Sequence, residues 1–211
     1  MIPRDRYLQR LETAVANNPI TAILGPRQCG KTTLARAYAE ARPGYDYFDL
    51  EDPVDRARLS SPALTLESLT GLIVIDEIQQ KPELLPLLRV LADRPGSPAR
   101  FLILGSASPW LIKNASESLA GRIAFVDIGG FHIEEVEKTS VRDLWIRGGF
   151  PRSFLANDIA TSASWRNAFT RTFLERDIPQ LGISVPSQTL RRFWTMVAHY
   201  HGQLWNAAEF A

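Results

Sequence analysis

Gly25-Pro26-Arg27-Gln28-Cys29-Gly30-Lys31-Thr32-Thr33 decides how this chain is read. Gly25, Gly30, Lys31 and Thr32 fit G-x-x-x-x-G-K-[ST], the P-loop pattern. The apolar run Ile20 to Leu24 before it reads as a buried strand, and Leu34 to Ala39 after it as a helix. The spacing has a chemical reason. Backbone N–H groups must curl around a polyphosphate, and glycine permits the torsions and the close approach. The following helix aims its N-terminal N–H groups at the same charge. Lys31 is expected to reach the β- and γ-phosphates, and the Thr32 hydroxyl to hold Mg²⁺. The loop residues Gly25 to Thr33 together form the expected binding set.

Working outward, Arg4 to Asn17 reads as a first helix, with Tyr7, Leu8, Leu11, Ala14 and Val15 at helical spacing. Tyr45 to Leu50 reads as a second strand, and Gly71 to Ile75 as a third. The third is apolar on both faces, as central parallel strands are. Pro82 to Leu91 makes an amphipathic helix, and Arg100 to Leu104 a fourth strand. A helix around Trp110 to Leu119 precedes a fifth strand, Ile123 to Ile128. Alternating strands and helices imply an α/β fold: a parallel five-stranded sheet with helices on both faces. From about residue 138 strand signals stop, and an α-helical C-terminal segment is expected. The domains are read as 1–137 and 138–211. Trp165, Ala168, Phe169, Thr172 and Phe173 share one helical face. Ser187 reads as an N-cap before a stripe of Leu190, Phe193, Trp194, Val197 and Tyr200, which is expected to be core.

Asp76-Glu77 ends the third strand and completes the expected site. Ligands of open parallel sheets bind at the carboxyl ends of strands, so Asp76 should meet the loop. Asp76 is read as a Mg²⁺ ligand acting through water, and Glu77 as the base that polarises a water for attack on the γ-phosphorus. Ser106 ends the next strand, either as a contact to the γ-phosphate or the water, or as a small turn residue. Arg122 is a candidate transition-state arginine or one half of a structural ion pair, and Arg27 is its rival for the phosphate. Cys29 is read as a small side chain packed behind the loop rather than a reactive thiol.

Composition narrows the alternatives. At 211 residues the chain makes one large domain or one plus part of a second. Net charge is +1, which announces no acidic or basic partner. Residues 145–211 carry seven arginines against four carboxylates, an ordinary imbalance. No apolar run approaches the ~20 residues of a membrane span, the N-terminus lacks a signal-peptide core, and Cys29 is the single cysteine. A cytoplasmic location follows as the expectation.

The chain resembles prokaryotic AAA+-type ATPases that carry a C-terminal domain of unknown function. The stretches that carry the resemblance are GPRQCGKTTLA (25–35), FDLEDP (48–53), LIVIDEIQQKPELLPLLR (72–89), ILGSAS (103–108), SESLAGRI (116–123) and GGFPRSF (148–154). FLERDIPQLGI (173–183) and residues 190–211 extend it. The resemblance implies that Gly25–Thr33 is the Walker A loop, Asp76-Glu77 the Walker B pair and Ser106 the polar sensor. ATP and Mg²⁺ follow as the expected ligands, and no N-K-x-D stretch speaks for guanine. Two departures stand out: Gly129-Gly130 where relatives have a proline-leucine pair, which should loosen the chain there, and Cys29 where an aliphatic residue is usual.

The expected function is Mg²⁺-dependent ATP hydrolysis coupled to movement of C-terminal helices. Its rival is a nucleotide-gated binding module with little turnover. A small-molecule kinase fits less well, because Glu77 suits activation of water. A homo-oligomer is expected. Leu204 to Ala211 reads as a new amphipathic segment, and the resemblance implies that it opens a helix-turn-helix-like unit, so residues 1–211 are expected to be a fragment whose DNA or protein partner binds further on.

Overall fold

The computed structural model describes residues 2–96, 99–106, 108–204 and 206–209. They form two compact units, 1–155 and 156–211.

The first unit begins with helix α1 (Asp5–Asn17) and strand β1 (Ile20–Gly25). Helix α2 (Lys31–Glu40) and strand β2 (Tyr45–Asp49) follow. Two short helices, α3 (Pro53–Arg58) and α4 (Pro62–Glu67), lead to β3 (Gly71–Asp76). Both short helices carry proline in the first turn, where no N–H is missed. Next come α5 (Leu84–Ala92), β4 (Ala99–Ser106), α6 (Pro109–Ser118) and β5 (Ile123–Asp127). Helices α7 (Val141–Arg147) and α8 (Pro151–Phe154) close the unit.

All five strands are parallel, in the order β2-β3-β4-β1-β5. The α/β reading is therefore correct. Successive strand residues alternate between two cores. Ile73, Ile75, Phe101 and Ile103 pack with Leu84, Leu88 and Leu91 of α5. Leu72, Val74, Leu102 and Leu104 pack with Leu11 and Val15 of α1 and Leu34 and Tyr38 of α2. Burial on both faces is why these strands read as continuous apolar runs. The chain leaves β1 for α2 between β4 and β5, where strand order reverses. This is the switch point at which sheets of this kind open a ligand crevice.

The pair Gly129-Gly130 does not loosen the chain. Gly130 packs backbone to backbone on Gly149, and Phe131 N–H donates to the Gly149 carbonyl at 2.6 Å. A Cβ on Gly130 would lie 2.5 Å from the Gly149 carbonyl carbon, and one on Gly149 would lie 2.5 Å from the Phe131 oxygen. Glycine tightens this crossing because any side chain would part the two strands of chain.

The second unit is helical, and no strand occurs among its described residues. Helix α9 (Ile159–Thr172) is capped by Asp158, whose carboxylate accepts from Thr161 N–H at 2.6 Å. A π-helical turn, Phe173–Asp177, joins α9 to the short α10 (Ile178–Gln180), and α11 spans Ser187–His199. Trp165, Phe169 and Phe173 stack at i, i+4 spacing, with ring centroids 5.0 and 6.0 Å apart.

The α11 stripe is not core, contrary to expectation. Phe193, Trp194, Met196 and Val197 are 36–41% exposed. Phe173 meets Trp194 at 5.8 Å, but no residue of α11 is buried. The elements described within 156–211 do not enclose the face that the pattern marks as apolar. Ser187 is the first helical residue rather than the cap, which is Pro186. Of the expected terminal helix, residues 205, 210 and 211 lie outside the described ones. Ala207–Glu209 form a single 3-10 turn.

The glycine crossing yields a differential test. Gly130→Ala and Gly149→Ala should each cost about 1–3 kcal/mol through forced backbone shifts. Gly129→Ala, whose added Cβ meets nothing within 4 Å, should fall within about 0.5 kcal/mol of wild type. Denaturant melts of the three variants read the difference.

Candidate functional site

Strand β1 delivers Gly25 to the carboxyl edge of the sheet, and α2 starts six residues later at Lys31. A Cβ on Gly25 would sit 2.3 Å from the Ile128 carbonyl oxygen, so glycine alone lets the chain turn beside the exit of β5. The turn is built from two left-handed residues, Gln28 at φ 62° and Gly30 at φ 98°. Gln28 holds this conformation at a cost of about 1–2 kcal/mol, the kind of strain stored at functional loops. Left-handed residues inside such a loop turn successive N–H groups towards one concave side, which suits an anion.

Lys31 is only 5% exposed, and its ammonium lies within the curl of the loop. It donates to the carbonyls of Gly25 and Pro26, both at 3.0 Å. Thr32 Oγ1 donates to Asp76 Oδ2 at 2.7 Å, and the Tyr47 hydroxyl from β2 donates to the same oxygen at 2.7 Å. Asp76 Oδ1 accepts the Glu77 N–H at 2.9 Å. Hydroxyl and carboxylate oxygens side by side are the hard donors that Mg²⁺ takes, with water and phosphate filling its remaining positions. The residues present thus fit that ion.

Glu77 turns out of β3 with φ 55°, again left-handed. Gln79 Nε2 donates to its carboxylate. Burial raises the Glu77 pKa, opposed by the Lys31 charge nearby and reinforced by Asp76. Burial and the Asp76 carboxylate likewise push the Tyr47 hydroxyl well above its ordinary value, so it stays a donor. Ser106 stands in register with Gly25 on the adjacent β4. Cys29 is fully buried, and burial raises its thiol pKa. That is a packed side chain, not an activated thiolate.

Beside the loop opens a cavity of about 640 Å³. Residues 27–33 and Glu77 form its polar side, and Ile2, Leu8, Phe131, Pro151 and Leu155 its apolar side. Arg27 and Arg152 also line it.

Arg122 does not belong to this constellation in its own chain. It precedes β5, and its carbonyl accepts from Ile20 N–H at the start of β1. That is the amino edge of the sheet, a full strand away from Gly25. Its guanidinium pairs side-on with Asp93, at 2.6 and 2.7 Å. The structural ion pair is the geometry found.

Three residues at the site escape the sequence reading. Tyr47 and Gln79 hold the two carboxylates, and Arg152 lines the cavity. Tyr47 and Gln79 lie inside stretches singled out for other reasons, but no spacing rule marks them.

Comparison with known proteins agrees with this architecture. The family described as "AAA domain" matches residues 17–137, and "Domain of unknown function (DUF8612)" matches 138–211. The two matches meet at 137/138, whereas the first compact unit runs on to Leu155. Uncharacterized proteins of Mycobacterium bovis and Mycobacterium tuberculosis are each 52% identical over the whole chain. The chain spans 48% of their length, about half. Among solved structures, a Walker-type ATPase of Pyrococcus abyssi superposes with a TM-score of 0.58 at 15% identity. That match covers 86% of this chain and 75% of the other, and it speaks for the fold. An AAA-type P-loop fold suggests nucleotide binding and hydrolysis. No helix among the described residues is long and apolar enough to cross a membrane.

The position of Arg122 has a measurable consequence. Arg122→Ala should leave nucleotide affinity and turnover unchanged and lower the melting temperature slightly, since exposed pairs contribute little. A fall in kcat that deepens on dilution would show instead that a neighbouring copy supplies the arginine.

Proposed function

Because the chain belongs to the AAA-domain family, we propose that it binds ATP with Mg²⁺ at Gly25–Thr33 and hydrolyses it. One observation carries this reading. The Thr32 and Tyr47 hydroxyls converge on a single carboxylate oxygen of Asp76, one residue along α2 from the buried Lys31.

Each residue has a separable task. The loop N–H groups and the start of α2 receive the phosphates. Lys31 exchanges its loop carbonyls for β- and γ-phosphate oxygens, and its charge is the main cation the chain supplies there. Mg²⁺, held by Thr32 and through Asp76, would neutralise charge on the same phosphates. Glu77 takes a proton from the attacking water as the new O–P bond forms and the bond to the β-phosphate bridge breaks. A carboxylate with a raised pKa is the better proton acceptor. Ser106 orients the γ-phosphate or the water from β4. The apolar side of the cavity suits a flat purine, and Arg27 and Arg152 supply positive charge near the phosphates.

We read 1–137 as the ATPase domain and 138–211 as the helical region that its turnover moves. In the whole protein, that region would engage DNA, a second protein or a further copy of the chain, in the cytoplasm. ATPase rates with and without DNA separate the first of these from the others. A second reading, a nucleotide-gated module with slow turnover, draws on the hydrogen bond by which Gln79 restrains Glu77. Multiple-turnover phosphate release distinguishes it from the first.

Two substitutions test the division of labour. Lys31→Ala should weaken ATP binding at least tenfold, because the loop loses its charge-assisted contact to the phosphates. Glu77→Gln should retain binding and lose turnover by about a hundredfold or more. Wild-type hydrolysis by Glu77→Gln would remove Glu77 from the role of base.

A further inference from the structure

We propose that Arg4 is a positioning residue of the nucleotide site, fixing the Cys29–Gly30 peptide of the loop and tying it through Glu135 to the segment that leaves β5. The proposal rests on the nucleotide-binding reading above.

Arg4 occupies the N-cap position of α1, where its identity does nothing for the helix. Arginine lacks the acceptor that an N-cap uses, and a cation opposes the positive end of the helix dipole. The side chain nevertheless turns inward and is buried, 8% exposed, against a Glu135 side chain that is also 8% exposed. Four acceptor groups surround it. Nε donates to Glu135 Oε1 at 2.7 Å, and Nη2 to Glu135 Oε2 at 3.3 Å. Nη2 also reaches the carbonyls of Gly129 at 3.2 Å and Gly130 at 3.3 Å. Nη1 donates to the Cys29 carbonyl at 3.2 Å. The guanidinium lies 4.5 Å from the Tyr7 ring centroid.

The Cys29 contact gives this cluster a role beyond packing. In a trans peptide, C=O and N–H point in opposite directions. Holding the Cys29 oxygen on Arg4 therefore aims the Gly30 N–H away from Arg4. Gly30 is left-handed and lacks a Cβ, so its peptide would otherwise be the loosest in the loop. A fixed donor there removes a reorganisation cost from phosphate binding. Glu135 matters because a fork with five donors needs a rigid base, and its carboxylate is itself braced by the His132 N–H at 2.8 Å. The same guanidinium grips Gly129 and Gly130, next to the crossing with Gly149. Order in the loop and order in the 129–135 segment thus share one set of hydrogen bonds, which is a coupling between them.

The test uses the 211-residue chain and a fluorescent ADP analogue with Mg²⁺. Arg4→Gln should weaken affinity about tenfold while kcat at saturation changes less than threefold. Arg4→Lys, with a point charge but no fork, should recover only part of the affinity. Glu135→Gln should weaken binding in the same direction, and the double variant should be no worse than Arg4→Gln alone. In the wild type, ADP should slow hydrogen exchange of the Phe131 amide and its neighbours, a readout that survives if the variants fail to fold. Wild-type affinity in a folded Arg4→Gln overturns the proposal, as does unchanged exchange at 129–135 when ADP is bound. If the wild type binds no nucleotide, or binds it equally after Lys31→Ala, the nucleotide reading fails and this proposal with it.

Discussion

The carboxylate of Asp76 is the constraint on which the site depends. It is 2% exposed, and a charge so far from water must be met by donors. It finds three, one from each of three elements: the Glu77 N–H at the end of β3, Thr32 on α2 and Tyr47 on β2. Meeting that demand fixes where α2 begins relative to β3, and hence where the loop lies between them. The two-sided sheet makes the burial possible, because the helices on each face keep water from the strand ends. Removing one donor would leave a buried charge partly bare, which costs more than the bond itself gained.

Much of this was legible in the sequence, because local pattern and local structure coincide for the elements that matter. Glycine spacing identifies the loop, and continuous apolar runs identify the strands. Strand bounds shift by one or two residues, as when β3 extends to Asp76. Arg4 and Tyr47 escaped because their contacts are distant in sequence. Arg4 meets Glu135 and Tyr47 meets Asp76, and neither pair leaves a period or a spacing to read. Of the two readings open for Arg122, topology could have favoured the ion pair over a contact to the loop of its own chain. In an all-parallel sheet, a residue just before a strand stands at the edge opposite a residue just after one. Gly25, Asp76 and Ser106 follow or end their strands, whereas Arg122 precedes its own.

The α11 stripe teaches a different limit. Periodicity tells which face of a helix is apolar, but not whether the rest of the chain suffices to cover it. In the sheet unit that coverage is guaranteed by helices on both sides. In the helical unit the aromatic ladder of Trp165, Phe169 and Phe173 reaches Trp194, yet Phe193, Trp194, Met196 and Val197 stay more than a third exposed.

The loop is therefore held on two flanks by unlike means. On one, neutral hydroxyls of Thr32 and Tyr47 serve a single buried anion. On the other, a buried cation serves the Cys29 carbonyl, two glycine carbonyls and Glu135. The two flanks therefore present opposite charges to the loop. Negative charge placed in the loop would be repelled by Asp76 unless a cation stood between them. On the other flank the guanidinium is already met by the Glu135 carboxylate, which keeps it on the Cys29 carbonyl. That second flank is also where the guanidinium grips Gly129 and Gly130, so the order of the loop and the order of the chain leaving β5 rest on the same hydrogen bonds.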